Sequence, residues 1–199
     1  MASDNDALEG DRGPSKRARL LTLLILVPTL LVGCLGDEPA ATPEIPVGTE
    51  VGQRAPTLSG QISSGEAFST ESLAGGKAVL VFYTSGECGL CRFQLEQLEA
   101  NISAYQRVDA DVIAVTLDPA ERAVAMLERP ELPFPIVSVD SATFRSWGVI
   151  DTESSFVLPG TYVLDDAGVI RYRHIGRNAG DRTTDAEIVA VLESIPASS

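Results

Sequence analysis

Histidine and cysteine are scarce in this chain, which has one histidine, His174, and three cysteines, Cys34, Cys88 and Cys91. A structural zinc site normally uses four such ligands arranged in two pairs, and the chain has no second cysteine pair. Covalent haem attachment needs a histidine directly after Cys-x-x-Cys, whereas Arg92 follows Cys91. We therefore expect no metal and no bound cofactor.

Basic residues are also few. The chain has 15 lysines and arginines against 28 aspartates and glutamates, and its formal net charge is −13. Such an acidic surface repels the phosphates of nucleic acids and of anionic lipid headgroups. We expect no nucleic-acid partner.

Long apolar runs are rare as well, and the most prominent one lies near the N-terminus. The basic segment Lys16–Arg19 precedes the apolar run Leu20–Leu31, as in an export signal. Leu31-Val32-Gly33-Cys34 resembles a bacterial lipobox, which implies cleavage before Cys34 and a lipid anchor on its sulfur. The alternative is an uncleaved membrane anchor over Leu20–Gly36, at the lower length limit of a spanning helix. Both interpretations predict an extracytoplasmic, membrane-anchored protein of the cell envelope.

Composition divides the chain into three parts. Residues 1–33 form the predicted lipoprotein signal peptide. Residues 34–52, rich in Pro, Ala, Thr, Glu and Gly and without apolar periodicity, form the predicted lipidated cysteine and flexible tether. Residues 53–199 form one predicted domain.

The Cys88-x-x-Cys91 pair stands between the apolar run Ala78–Tyr83 and a clear helical pattern. Cys91 belongs to the apolar stripe of this helix and should face the core, whereas Cys88 lies outside the stripe at the helix N-terminus. There the positive end of the helix dipole favours a thiolate. The asymmetry predicts an exposed attacking cysteine and a shielded resolving one. The stripe consists of Cys91, Leu95, Leu98, Ile102 and Tyr105.

Two other interpretations of the pair remain open. An extracytoplasmic protein can keep a purely structural disulfide, but the loop between Cys88 and Cys91 is so short that closing it constrains the unfolded chain little. This favours redox activity. A copper chaperone using the two cysteines and His174 is the second alternative, although that type of protein spaces its cysteines one residue further apart.

Predicted strands and helices alternate along the domain, which indicates an α/β fold with a mixed sheet and helices on both faces. The predicted strands are Ala78–Tyr83, Asp111–Thr116, Ile136–Val139, Thr161–Leu164 and Val169–Tyr172. The predicted helices are Cys88–Arg107, Asp118 to about Glu128, a turn at Ser141–Trp147, and a last helix opening with the capping box Thr184-Asp185-Ala186-Glu187.

The segment from Val79 to Cys91 resembles the redoxin branch that includes the alkyl hydroperoxide reductase and thiol-specific antioxidant proteins. Pro159-Gly160-Thr161-Tyr162-Val163-Leu164-Asp165 resembles the second signature of that branch. The resemblance covers about residues 50–195 and implies a thioredoxin-like fold. In that family the residue at Pro159 is typically a cis-proline beside the cysteine pair. The resemblance thus implies a substrate groove formed by Pro159, Gly160, Ser85 and Glu87.

Departures from this family bear on the activity. Peroxidatic members usually have Pro-x-x-x-Thr/Ser-x-x-Cys and an arginine that opens the late strand. Here Ser85 takes the hydroxyl position, but Val81 replaces the proline and Pro159 replaces the arginine. Arg171 or Arg173 could supply the missing cation in space.

Two further departures concern thiol exchange. Thioredoxins commonly have a buried acid six residues before the first cysteine, where this chain has Phe82. Glu87, adjacent to Cys88, should oppose thiolate formation.

We expect an extracytoplasmic thiol–disulfide oxidoreductase in which Cys88 attacks a substrate disulfide and Cys91 resolves the mixed disulfide. The substrate is a protein or small-molecule disulfide, and the sequence does not identify the electron donor. The alternative is a peroxiredoxin-like thiol peroxidase with Cys88 peroxidatic and Cys91 resolving. A third interpretation, from a different class, is a copper-delivery or structural lipoprotein.

Overall fold

A mixed seven-stranded sheet organises the residues that the computed structural model describes, which are 45–125 and 132–196. The strand order is β2-β1-β5-β4-β3-β6-β7. The strands are β1 Ser59–Ile62, β2 Ala67–Ser69, β3 Lys77–Tyr83, β4 Ala110–Thr116, β5 Ile136–Ser138, β6 Gly160–Leu164 and β7 Ile170–Ile175. The α-helices are α1 Gly89–Ala100, α2 Ile102–Arg107, α3 Ala120–Ala125, α4 Ser141–Ser146 and α5 Asp185–Ser194.

Strand β3 is the centre of this sheet. It pairs parallel with β4 and antiparallel with β6 along almost its whole length, and its residues from Ala78 to Tyr83 are buried. A near-continuous apolar run suits a strand that is covered on both faces. Because β3 is parallel to β4 and antiparallel to β6, its C-terminal end lies beside the end of β4 and the start of β6.

Alternate residues of β3 enter two different cores, since successive side chains point to opposite faces of a sheet. Val81 and Tyr83 belong to the cluster that contains Leu95 of α1 and Leu192 of α5. Leu80 and Phe82 belong to the cluster that contains Phe144 and Trp147, at and after α4. Helices therefore cover both faces, and the predicted α/β, thioredoxin-like architecture is confirmed.

The helix predicted over Cys88–Arg107 is interrupted at Asn101, so that prediction was wrong in its continuity. Asn101 has φ −102° and ψ 8°, ends α1 and precedes α2. Its side-chain amide donates to the carbonyl oxygen of Gln97 (3.0 Å) and to Asp185 (3.3 Å). Asparagine side chains compete in this way with the helical hydrogen bonds of the backbone. The predicted end of the next helix, near Glu128, lies outside the described residues.

The hairpin β1–β2 did not emerge from the sequence because its segment is short, polar and only partly buried. Its turn includes Gly65, whose φ of +83° suits glycine. Strand β7 extends to Ile175, beyond the predicted end at Tyr172, through a polar run. It is an edge strand of the sheet, where polar residues are tolerated.

Residues 45–52, which belong to the expected tether, are hydrogen-bonded to the domain. The amide of Gly52 donates to the carbonyl oxygen of Ile170 (2.8 Å), and the amide of Arg54 donates to that of Pro46 (2.9 Å). Hydrogen bonds to the domain therefore begin before residue 53, where the composition places the start of the domain. The expected signal peptide, residues 1–33, and residues 34–44 with Cys34 lie outside the described residues. Within 45–125 and 132–196, no helix is long and apolar enough to cross a membrane.

The last helix provides a test of the capping prediction, which is confirmed. The Thr184 hydroxyl accepts from the Glu187 amide (3.3 Å), and the Glu187 carboxylate accepts from the Thr184 amide (2.8 Å). Thr184→Ala should lower the free energy of unfolding by about 1 kcal/mol, since one helical N–H loses its partner. Urea unfolding followed by circular dichroism measures this. Thr152→Ala, at an exposed turn, is the control, and an equal effect of both substitutions would contradict the capping role.

Candidate active site

The cysteine pair lies where β3 ends and α1 begins. Cys88 is the N-cap residue of α1, with an extended backbone (φ −75°, ψ 110°), and its Sγ accepts a hydrogen bond from the Cys91 amide at 3.2 Å. The first amides of a helix have no partner within the helix, and together they form its positive end. The Cys88 sulfur therefore takes the position of a capping oxygen, where a negative charge is stabilised.

The two sulfurs are joined as a disulfide, and the Cα atoms of Cys88 and Cys91 are 5.1 Å apart. Cys91 is completely buried and packs against Leu95 in the core on the α1 side of the sheet, whereas Cys88 is partly exposed at the edge of the same core. The predicted asymmetry of burial is confirmed. An incoming sulfur can approach Cys88 but is screened from Cys91.

The loop between β3 and α1 is held by hydrogen bonds at four of its residues, Ser85 to Cys88. The Ser85 carbonyl oxygen accepts from the Cys88 amide (3.1 Å), and the Ser85 hydroxyl accepts from the Glu87 amide (3.1 Å). The buried Gly86 donates its amide to the Asp118 carboxylate across the neighbouring strand ends (2.9 Å). Asp118 was predicted only as a helix cap, and its contact with the cysteine loop was missed. It arises because β3 and β4 end together at one edge of the sheet.

The Glu87 carboxylate forms an exposed ion pair with Arg122 at 3.0 Å. The expected opposition of Glu87 to a Cys88 thiolate is therefore offset by the charge of Arg122. Both side chains are well over half exposed, so solvent weakens each effect.

Arg182 contacts the cysteine pair. Its guanidinium donates from Nη2 to Cys91 Sγ (3.3 Å), from Nη1 to the side-chain oxygen of Gln94, and from Nε to the carbonyl oxygen of Ala179 (2.9 Å). Burial lowers the pKa of Arg182 below its ordinary value. The sequence provides no signal for this residue, because it lies in a loop far from Cys91 in the chain.

Neither Arg171 nor Arg173, the two arginines suggested from the sequence, occupies the position beside the cysteine pair. Arg171 binds Asp165 at the β6–β7 turn (2.6 Å), which is at the opposite end of β6 from Pro159. Arg173 lies 3.9 Å from Glu50. The idea that one of them stands beside the cysteines is therefore wrong.

Pro159 and Gly160 open β6 at the same edge of the sheet as the cysteine loop, because Gly160 pairs with Phe82 near the end of β3. Both residues are buried. The Pro159 carbonyl oxygen accepts from the Gly176 amide (2.8 Å), which fixes the start of the strand. A Cβ on Gly160 would lie 2.5 Å from a methyl group of Val149, so only glycine fits there.

Phe82, at the thioredoxin acid position, points away from the cysteines. Its ring packs against Phe144, Trp147 and Tyr162, with centroid distances of 5.4, 5.3 and 5.8 Å. The neighbouring Tyr83 is on the cysteine side, and burial raises its pKa well above the ordinary tyrosine value. Its hydroxyl therefore stays protonated at neutral pH.

His174 bonds to Asp181 rather than to the cysteines, with Nε2 at 3.2 Å from the carboxylate. Among the described residues, no group of three or more His, Cys, Asp or Glu side chains could hold a metal ion. Within the described part of the chain, the hydrogen bonds to the two sulfurs come from the Cys91 amide at the helix N-terminus and from the Arg182 guanidinium.

An apolar groove of about 350 Å³ runs beside the pair, between α1 and the segment that leads into α5. Leu90 and Phe93 form its outer wall and are 49% and 59% exposed, and Ile188 forms part of the inner wall. Arg182 also lines it. A larger cavity of about 420 Å³ lies near Arg54, and neither Cys88 nor Cys91 lines either of these two cavities.

Comparison with known proteins gives a family match over residues 51–173, to the AhpC/TSA family. The chain is similar to chloroplastic peroxiredoxin Q of Triticum aestivum, at 32% identity over 111 residues, which are 54% of this chain and 51% of the relative. It thus spans about half the length of that protein. It is also similar to the thioredoxin-like protein YneN of Bacillus subtilis, at 31% identity over 134 residues, which are 65% of this chain and 74% of the relative.

Solved structures agree on the fold. The structure of peroxidoxin BcpB from Mycobacterium tuberculosis superposes with a TM-score of 0.64 at 16% identity, over 77% of this chain and 99% of that chain. Reduced 2-Cys peroxiredoxin of Plasmodium vivax gives a TM-score of 0.65 at 15% identity, over 72% and 80% of the two chains.

Asp118 should hold the cysteine loop in place. Asp118→Ala removes the acceptor of the buried Gly86 amide, so that amide should exchange with solvent faster and the protein should lose about 1–3 kcal/mol of stability. Asp118→Asn, which retains a side-chain oxygen, should lose less. Hydrogen exchange resolved by NMR measures the amide, and unchanged protection of Gly86 in the alanine variant would contradict this role.

Proposed function

Because this chain belongs to the AhpC/TSA family of peroxiredoxin-like oxidoreductases, we propose that it is a thiol–disulfide oxidoreductase in which Cys88 and Cys91 are the redox-active pair. The substrate is a protein or small-molecule disulfide, and a thiol donor returns the pair to its reduced state.

The observation that most supports this proposal is the unequal placement of the two sulfurs. Cys88 is partly exposed and caps α1, while Cys91 is buried one helical turn further on and close enough to form a disulfide. An attacking thiol needs both access and a stabilised thiolate, whereas a resolving thiol needs proximity and protection from other reagents.

The reaction has two exchange steps. The Cys88 thiolate attacks one sulfur of the substrate disulfide, and the other substrate sulfur leaves as a thiolate and takes a proton from water. The Cys91 thiol loses its proton and attacks Cys88 Sγ, which forms the Cys88–Cys91 disulfide and expels the second substrate thiolate. Two electrons pass from the protein to the substrate. Attack on Cys88 by a donor thiolate reverses the sequence.

Serine variants test these roles. Cys88→Ser should reduce the turnover of a disulfide substrate to the uncatalysed rate, because the attacking sulfur is lost. Cys91→Ser should accumulate a mixed disulfide on Cys88, which mass spectrometry of the intact protein and of its peptides detects. The control is Cys34→Ser, which leaves the pair intact and should retain full exchange activity. Normal turnover by the Cys88→Ser protein would overturn the proposal.

A thiol peroxidase is the second candidate, and similarity to a relative named peroxiredoxin Q favours it. Cys88 is accessible, and the Ser85 hydroxyl is in the same loop. Against it, Val81 lies within the β3 ladder, where a proline would disrupt the hydrogen bonds, and among the described residues no hydrogen bond joins an arginine to Cys88. Stopped-flow oxidation by hydrogen peroxide separates the candidates: a rate no greater than that of free cysteine removes the peroxidase.

We also propose that the protein is a lipoprotein of the cell envelope, anchored through Cys34. The support is the basic and apolar sequence before Cys34. Residues 35–44 could then span at most about 36 Å between the lipid and the first described residues.

The anchor makes a separate prediction. Cys34→Ser should move the protein from the membrane fraction to the soluble fraction and abolish the mass increase of a diacylglyceryl group, since its sulfur is the proposed attachment point. Fractionation and mass spectrometry of the exported protein measure both. Membrane association that persists in the variant would support an uncleaved anchor and contradict lipidation.

A further inference from the structure

The guanidinium of Arg182 is fixed against the buried sulfur of the pair. It lies in the loop between β7 and α5 and uses its three nitrogens on three different acceptors, Cys91, Gln94 and Ala179. Gln94 is on α1, one turn after Cys91, so the helix that carries the sulfur also orients the cation. Because the guanidinium is already fixed in position, little reorganisation is needed when negative charge develops on the neighbouring sulfur.

The other charged groups around Cys91 have different partners. In the Arg182 loop, Asp181 binds Arg177 and His174. On α5, Asp185 accepts from Tyr105 and Asn101. At the strand ends, Asp118 accepts from Gly86, and in the cysteine loop Glu87 pairs with Arg122. On α1, Arg92 and Glu96 are exposed. Among the described residues, Arg182 is therefore the charged group that bonds directly to a cysteine sulfur.

We propose that Arg182 stabilises Cys91 as a thiolate, and so acts on the resolving sulfur and makes it the preferred leaving group when the disulfide is reduced. This inference rests on the proposed thiol–disulfide exchange. It assigns Arg182 as a catalytic residue, because its guanidinium contacts a reacting atom.

A donor thiolate attacks the accessible Cys88 Sγ, a donor–Cys88 disulfide forms, and the Cys88–Cys91 bond breaks. Its electron pair stays on Cys91 Sγ, whose new negative charge lies beside the guanidinium. A second thiolate of the donor then attacks the donor sulfur of the mixed disulfide, which releases the oxidised donor and leaves Cys88 as a thiolate. The protein gains two electrons.

Two consequences follow. A leaving thiol of lower pKa leaves faster, so Arg182 should speed reduction of the disulfide. It should also make the pair easier to reduce, because it stabilises a charge that exists only in the reduced state. This second effect must depend on pH. It is present above the Cys91 pKa, where the thiolate exists, and disappears as the pH falls below it.

Titration of Cys91 in the full chain is the direct test. In Cys88→Ser protein, thiolate absorbance at 240 nm is followed against pH, with the Cys88→Ser, Cys91→Ser protein as the blank for tyrosine. Adding Arg182→Gln should raise the Cys91 pKa by about 1 to 3, the usual effect of removing an adjacent opposite charge. Arg182→Lys should restore much of the difference. An unchanged Cys91 titration in Arg182→Gln overturns the proposal.

Redox equilibrium provides a second readout that a purely structural role would not produce. With Cys88 and Cys91 intact, the equilibrium with oxidised and reduced dithiothreitol is measured from pH 5 to 9. Arg182→Gln should shift it at least tenfold toward the oxidised protein at high pH, and the shift should vanish at low pH. A shift that is equal at every pH overturns the proposal, since it indicates altered packing.

Two further variants serve as a control and as a replacement for Arg182→Gln. Arg177→Gln removes an exposed arginine of the same loop that contacts Asp181 and no cysteine, so it should leave the Cys91 titration unchanged. Arg182→Met removes the charge but retains an apolar stem, and it replaces the glutamine variant if circular dichroism shows that the latter is unfolded. The outcomes remain distinct: absence of disulfide turnover in wild type refutes the proposed function, whereas normal turnover with an unshifted Cys91 pKa refutes only the role of Arg182.

Discussion

The hydrogen bond from the Cys91 amide to Cys88 Sγ is the contact on which the candidate chemistry depends. It places the accessible sulfur at the positive end of α1 and makes that sulfur part of the helix cap. The position is set by β3, whose buried and doubly paired backbone fixes the point at which the loop begins. The cysteine pair thus relies on a buried central strand of the sheet.

Opposite faces of β3 serve different purposes. Tyr83 and its neighbours build the core in which Cys91 is buried, while Phe82 belongs to an aromatic cluster with no cysteine. The position that carries an acid in thioredoxins therefore contributes packing here. The charged groups near the pair are instead Arg182, beside the buried sulfur, and the Glu87–Arg122 ion pair at the surface. These groups differ from the buried acid that is common in thioredoxins and from the proline and arginine that are usual in peroxidatic redoxins.

Local patterns in the sequence predicted much of this arrangement. The helical stripe gave the burial of Cys91, and the Thr184 capping box gave the start of α5, because both depend on residues close together in the chain. The break at Asn101 and the position of Arg182 were missed, since each depends on contacts with distant segments. The hairpin β1–β2 was missed because its polar residues give no clear alternation.

Cys88 and Cys91 are proposed to exchange electrons rather than to form a structural disulfide, and their reduction potential tests this role most directly. Equilibration of the protein with graded thiol–disulfide buffers at pH 7 measures this value. We predict reversible cycling between roughly −270 and −120 mV, the range of active dithiol pairs. A potential below about −300 mV, as for structural disulfides, would contradict the account.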